Sequence, residues 1–90
     1  MFEKGQILMT CGVNEAICES EQFFKDVLRS FDRYSRCDWG EMCDEDKATN
    51  DYALKNDGRL FGAYETSQGK IWIITEWDRS ATTILFPDEY

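Results

Sequence analysis

RLFGAYETSQGKIWIITEWDRSATTILF, residues 59 to 86, decides the fold of this protein because it holds three strand-like runs separated by two turn signals. The runs RLFGAYE and KIWIITEW are rich in β-branched and aromatic residues, and the sequence TSQG between them is typical of a hairpin. The third run, ATTILF, follows the turn-forming Asp78-Arg79-Ser80 and stops before Pro87. Two successive turns of this kind predict an antiparallel meander of three strands.

The segment before the meander has the period of a helix. In NEAICESEQFFKDVLRSFDRYS the apolar residues recur at spacings of three and four, and Asn14 is a candidate N-cap. Ser20 is placed to restart the helix, which would give a short helix followed by a longer one. A second helix is predicted from about residue 44 to residue 56, with Gly58 as its C-terminal cap. The short apolar run at residues 6–11 predicts a strand.

These elements predict the order β-α-α-β-β-β, an α+β fold in which the helices pack on one face of a mostly antiparallel sheet. Ninety residues fit a single domain, residues 1–90. The strands are apolar on both faces, so the second face is expected to bind a partner or a second copy, or to be covered by the chain ends. That face must hold some of the large side chains Phe61, Trp72, Trp77, Ile84 and Phe86.

The formal net charge is −8, and the acidic residues are concentrated between Asp38 and Asp57. The chain lacks the basic stripe that nucleic-acid binders use, so direct nucleic acid binding is not expected. An acidic face instead suits a basic protein partner, whereas the alternative is a solvated helix surface that keeps a small protein soluble. The candidate partner-binding residues are Asp38, Glu41, Asp44, Glu45, Asp46 and Asp51.

The lengths of the apolar segments indicate whether the protein crosses a membrane and in which compartment it is expected. No run approaches the roughly 18 apolar residues that a membrane-spanning helix needs. The N-terminal sequence MFEKGQILMTCG also lacks the apolar core of a secretory signal. We therefore expect a cytoplasmic protein, in which thiols stay reduced.

The four cysteines fall into two pairs, with spacings wider than those of common zinc knuckles. Each is predicted to lie at or near the end of a strand or helix, where loops meet. The chain has no histidine, so a metal site would rely on thiolates. We expect one structural zinc ion that stabilises a small core, and the alternatives are reduced buried cysteines or disulfides. The predicted zinc ligands are Cys11, Cys18, Cys37 and Cys43.

The segment TEWDRSATT, residues 75–83, is the main candidate for catalysis. Glu76, Asp78 and Arg79 are the residues that a small enzyme would use there. The sequence Asp-Arg-Ser is more simply a turn, however, and a chain without histidine has no imidazole to activate Ser80. The phosphate-binding and dinucleotide-binding glycine motifs are also absent. We expect a protein without enzymatic activity and keep the small enzyme as the alternative.

The second half of the chain carries a longer pattern. It consists of Asp38-Trp39-Gly40, Glu45-Asp46-Lys47, Asn50, Arg59-Leu60, Ala63-Tyr64, and then Trp72 to Tyr90 with few departures. This pattern resembles a family of small bacterial proteins carried on plasmids, prophages and other mobile elements. The match covers residues 37–90, whereas the first 36 residues match weakly. The resemblance implies a mobile-element protein and transfers no catalytic residues.

Within that group the chain looks like a phage anti-CRISPR protein that binds a type II CRISPR nuclease and impedes target-DNA loading. Such nucleases hold guide and target in positively charged channels, which an acidic protein would occlude. The resemblance thus implies a non-enzymatic inhibitor in the cytoplasm of a host bacterial cell, as a monomer or small homo-oligomer. An antirestriction protein or an oligomerising plasmid-maintenance protein is the alternative within the group.

Overall fold

The computed structural model describes residues 2–90, so the first residue of the predicted 1–90 domain lies outside the described part. The elements are β1 (Gln6–Met9), α1 (Cys11–Glu19), α2 (Glu21–Ser35), α3 (Asp44–Lys55), β2 (Leu60–Thr66), β3 (Gly69–Thr75), β4 (Ala81–Leu85) and a final 3₁₀ turn (Pro87–Glu89). The predicted α+β class is confirmed. Within the described residues, no helix combines the length and apolarity needed to cross a membrane.

The sheet has four strands in the order β1-β4-β3-β2. The predicted meander is confirmed, because β2 pairs antiparallel with β3 and β3 pairs antiparallel with β4. β1 runs parallel to β4, which makes the sheet mixed. The helices carry the chain from β1 to the opposite edge of the sheet, and the meander then returns to place β4 beside β1.

The predicted restart at Ser20 is confirmed, because the first helical segment forms a short helix, α1, and a longer helix, α2. The Ser20 backbone is extended, and its side-chain oxygen accepts a hydrogen bond of 3.2 Å from the Phe23 N–H, as expected of an N-cap. α2 then buries an apolar stripe, with Phe23, Val27 and Tyr34 at its centre.

The predicted N-cap at Asn14 is wrong, because α1 already begins at Cys11. Its N-terminus is capped from the far end of the chain, where a Glu89 carboxylate oxygen accepts a hydrogen bond of 3.0 Å from the Gly12 N–H. The Thr10 hydroxyl donates to the other carboxylate oxygen at 2.6 Å, and this bond lowers the pKa of Glu89. A cap supplied from 77 residues away leaves no local sequence signal.

The core lies between the helices and one face of the sheet. Its centre contains a buried polar chain, in which the Tyr34 hydroxyl meets the Thr75 hydroxyl at 2.6 Å and Thr75 meets Thr82 at 2.8 Å. Thr82 completes the chain by donating to the Lys4 carbonyl at 2.7 Å, so every group is paired. Burial raises the pKa of Tyr34 to about 12. The apolar core residues include Val13, Phe23, Val27, Leu60, Tyr64, Ile71, Ile73 and Ile84.

The second face of the sheet is half-covered. Phe61 and Trp72 lie there with ring centroids 4.9 Å apart, and the ring of the C-terminal Tyr90 packs on Trp72 at 5.7 Å. Arg59 holds Tyr90 by donating to its hydroxyl at 2.8 Å. Of the other candidates for this face, Phe86 stacks on Phe23 at 5.6 Å, Ile84 belongs to the core, and Trp77 is exposed.

Candidate protein-binding surface

α3 is fixed against the outer edge of β2 by a side-chain amide. The Asn50 Nδ2 donates to the Phe61 carbonyl at 2.5 Å, and the Phe61 N–H donates back to Asn50 Oδ1 at 3.0 Å. The amide thereby satisfies both backbone groups of Phe61 as a neighbouring strand would. Asn50 is buried, so this pairing fixes the position of α3 against the sheet.

The loop before α3 pairs with the same edge two residues further along. The Ala63 N–H donates to the Trp39 carbonyl at 3.1 Å, and the Glu41 N–H donates to the Ala63 carbonyl at 2.7 Å. Gly40 lies between these bonds with a φ of 81°, and a Cβ there would overlap the Ala63 carbonyl oxygen. Only glycine therefore allows this approach.

Two of the predicted acidic residues, Asp38 and Glu41, form ion pairs with Arg33 of α2. Its guanidinium donates to both carboxylate oxygens of Asp38, at 2.8 and 3.3 Å, and lies 3.9 Å from the carboxylate of Glu41. The Arg33 hydrogen bond lowers the pKa of Asp38. These two carboxylates therefore anchor the loop as well as facing solvent.

The remaining acidic residues lie on α3 and differ in their surroundings. Asp51 accepts a hydrogen bond of 3.1 Å from the Trp39 indole N–H, which ties α3 to the loop. Asp44, Glu45 and Asp46 form the first turn, where the helix dipole favours negative charge. All three are exposed, and they form no ion pair among residues 2–90. They are the part of the predicted acidic face that is free to attract a cation.

A cleft of about 480 Å³ opens between the start of α3 and the second face of the sheet. Phe61 and Trp72 form its apolar wall, while Asp46 lies at one side and Arg59 and Lys70 line another part. The sequence had indicated the two aromatic residues. It did not indicate that Arg59 and Lys70 would line this cleft, because only the tertiary structure brings them beside α3.

The four predicted zinc ligands lie at the ends of helices, as expected, and all are free thiols. Cys11 and Cys18 are exposed on α1, Cys43 is exposed before α3, and Cys37 is half-buried after α2. α2 separates the pairs, and its 15 residues span about 22 Å. Across residues 2–90, no three His, Cys, Asp or Glu side chains are grouped to hold a metal ion. The thiols thus do not meet in this arrangement, and zinc binding stays a prediction.

The proposed catalytic residues have structural contacts. The Arg79 guanidinium donates to the Ala53 carbonyl in the last turn of α3 at 3.2 Å and to the Gly58 carbonyl just beyond the helix at 2.6 Å. Asp78 accepts the Ser80 N–H at 3.0 Å, and the hydrogen bonds from Ser80 lower the pKa of Asp78. Glu76 is half-buried beside this turn. Asp78 therefore stabilises the turn that the sequence predicted, and Arg79 joins this turn to the end of α3. The lack of enzymatic activity stays a prediction.

A scan against protein-family models finds no match to this sequence, and searches of curated proteins and of solved structures find none either.

Proposed function

We propose that this protein is a non-enzymatic inhibitor that binds a positively charged surface of a bacterial defence nuclease through α3. The observation that carries the proposal is the exposed first turn of α3, where Asp44, Glu45 and Asp46 form no ion pair among residues 2–90. The resemblance to mobile-element proteins supports a type II CRISPR nuclease as the partner. Inhibition would then take place in the cytoplasm of the host bacterium.

Charge gives the physical reason for this choice of partner. Nucleases of this type hold guide and target in basic channels, and an acidic surface competes for the same side chains. With a net charge of −8, the protein would be steered toward such a channel, and the steering would weaken as salt is added. Occupation of the channel would impede target-DNA loading without any chemical step.

Exposed charges at the edge of an interface mainly raise the association rate and add little affinity. A stable complex therefore also needs a side chain that becomes buried in the interface. The cleft beside Asp46 offers a place for one, because Phe61 and Trp72 give it an apolar wall. An apolar side chain of the nuclease would fit a wall of this kind. The acidic turn and the cleft together form the proposed binding surface.

The experiment measures complex formation and target-DNA loading with a purified type II CRISPR nuclease. We expect the wild-type protein to bind and to reduce DNA loading, with an affinity that falls as salt is added. The combined substitution Asp44→Asn, Glu45→Gln and Asp46→Asn should weaken binding and restore loading. Circular dichroism checks that α3 is retained, since the same acids favour the start of the helix.

A matched control removes three negative charges elsewhere. Glu3→Gln, Glu15→Gln and Glu19→Gln change exposed residues far from α3 in the sequence and should leave binding almost unchanged. Equal weakening by both triple variants would mean that only the net charge matters, which would contradict a surface on α3. No complex at micromolar protein, with normal DNA loading, would overturn the assignment to this nuclease.

A further inference from the structure

The two edge strands of the sheet differ in how far their outer backbone groups are covered. The β2 edge is covered over most of its length, because Asn50 and the loop around Gly40 occupy the outward-facing backbone groups of Phe61 and Ala63. β1 forms the other edge, and all four of its residues, Gln6–Met9, are exposed. They carry no charge and no proline, which are the usual means of protecting an edge strand.

Within the described part of the chain, the unpaired backbone groups of β1 follow from its pairing with β4. Gln6 donates to the Ser80 carbonyl at 3.0 Å and Thr10 donates to the Ile84 carbonyl at 3.1 Å. Backbone groups alternate from side to side along a strand, so the N–H and C=O of Ile7 and Met9 point away from β4. β1 therefore presents two donors and two acceptors along its outer edge.

An apolar groove lies directly beside this edge, on the helix side of the sheet. It has a volume of about 210 Å³, and every residue that lines it is apolar. Leu28 of α2 projects at its border with 54% of its surface exposed, and Phe24 is 42% exposed. The lining residues are Ile7, Met9, Ile17, Phe24, Val27, Leu28, Phe31 and Ile84.

We propose that β1 pairs antiparallel with β1 of a second copy of this chain, about a two-fold axis at Leu8. Ile7 would then lie opposite Met9 of the second copy, and these pairs would exchange about four backbone hydrogen bonds. Leu8 would face its own counterpart on the other side of the sheet. The pairing would join two four-stranded sheets into one.

Charge favours a second copy over another partner at this surface. The rest of the molecule is strongly acidic, whereas β1 and the groove are uncharged, so two copies meet here without close like charges. A two-fold axis perpendicular to the sheet also brings α2 antiparallel to its counterpart. The exposed charges of α2 suit that arrangement, because Lys25 would approach Asp32 of the other copy, and Glu21 would approach its Arg36.

The mass of the protein in solution tests the proposal first. Light scattering after gel filtration, from micromolar to millimolar protein, should show the mass rise from monomer to dimer. Leu28→Lys should raise the dissociation constant at least about tenfold, because it places charge at the centre of the shared apolar surface. The matched control Tyr52→Lys changes a side chain on α3 that is 69% exposed and should leave the dissociation constant unchanged.

Hydrogen exchange tests the geometry independently of any variant. The amide protons of Ile7 and Met9 should exchange more slowly as the protein concentration rises, whereas the amide of Gln6, already bonded to β4, should change little. A monomer mass at every concentration would overturn the proposal and would leave the groove to another occupant. A dimer without protection of Ile7 and Met9, or one unaffected by Leu28→Lys, would also overturn it.

Discussion

The Asp26 carboxylate, in the middle of α2, accepts a hydrogen bond of 2.8 Å from the backbone N–H of Ser67 at the tip of the β2–β3 hairpin. Asp26 is 3% exposed, and its other oxygen accepts from Gln22 at 2.9 Å and from Arg29 at 2.6 Å. A buried carboxylate with three donors is well paired. It joins the longest helix to a turn 41 residues away.

Replacing this carboxylate by an amide should release the hairpin from α2. Asp26→Asn turns one acceptor into a donor that faces existing donors, so we expect a loss of about 2 kcal/mol in the free energy of unfolding. Urea denaturation measures it. The control Asp32→Asn lies on the same helix, where its ion pair with Arg36 is exposed, and should change stability by less than about 0.5 kcal/mol.

The same carboxylate should make stability depend on pH. The Ser67 N–H lowers the pKa of Asp26 below its ordinary value of 3.8, with a further contribution from Gln22. A group whose pKa is lower when folded stabilises the protein above the unfolded pKa, and this stabilisation is lost as the pH falls through the folded value. Urea titrations below pH 5 should show stability falling less steeply with acid in Asp26→Asn. Equal slopes in both proteins would contradict the role of Asp26.

Replacing Asn50 by aspartate, which has nearly the same shape, should destabilise the protein. Asn50→Asp keeps the acceptor for the Phe61 N–H, but it removes the donor to the Phe61 carbonyl and places charge beside that oxygen. We expect a loss of at least about 2 kcal/mol in unfolding free energy. Asn14→Asp is the control, since Asn14 is exposed in α1. A similar small change in both variants would mean that the edge of β2 does not depend on the amide.

Gly69 and Gly40 both have positive φ, but a methyl group added at Gly40 would also overlap a neighbouring atom. Comparing alanine substitutions at the two positions therefore distinguishes the cost of backbone strain from the cost of steric overlap. Gly69→Ala adds a methyl group with no heavy atom within 4 Å, so its cost should be the backbone penalty of about 1 kcal/mol. Gly40→Ala adds the same penalty and an overlap with the Ala63 carbonyl, so we expect at least about 3 kcal/mol. Thermal unfolding of the two variants compares them. Equal losses would show that the loop moves away from β2 without cost.

Thiol titration combined with elemental analysis tests the zinc prediction against the arrangement of the cysteines. With the pairs separated by α2, we expect the exposed Cys11, Cys18 and Cys43 to react quickly in the native protein, and the half-buried Cys37 to react more slowly. If zinc is bound as the sequence predicts, Cys37→Ser should lower the metal content, whereas with separated cysteine pairs it should leave the metal content unchanged. The alternative outcome is one zinc ion per chain with protected thiols in protein purified without chelator. That result would require the segments that carry the cysteines to be arranged differently around α2.

The acidic surface shows which properties of the candidate site can be predicted from the sequence and which cannot. The sequence showed the concentration of acids but not their roles, because Asp38 binds Arg33 and Asp51 binds Trp39, whereas Asp44 forms no ion pair within residues 2–90. These differences depend on which cation or donor the fold brings near. Composition alone does not contain that information.

The sequence by itself determined the elements whose signals are local. The turns at TSQG and Asp78-Arg79-Ser80 gave the meander, and the helical period with Ser20 as cap gave α2, because turn residues and periodicity act within a few residues. Only the tertiary structure decided the parallel pairing of β1 with β4, the cap on α1 by Glu89 and the separation of the cysteine pairs. Each of these joins or divides residues far apart in the chain, so it is fixed by how the helices pack across the sheet.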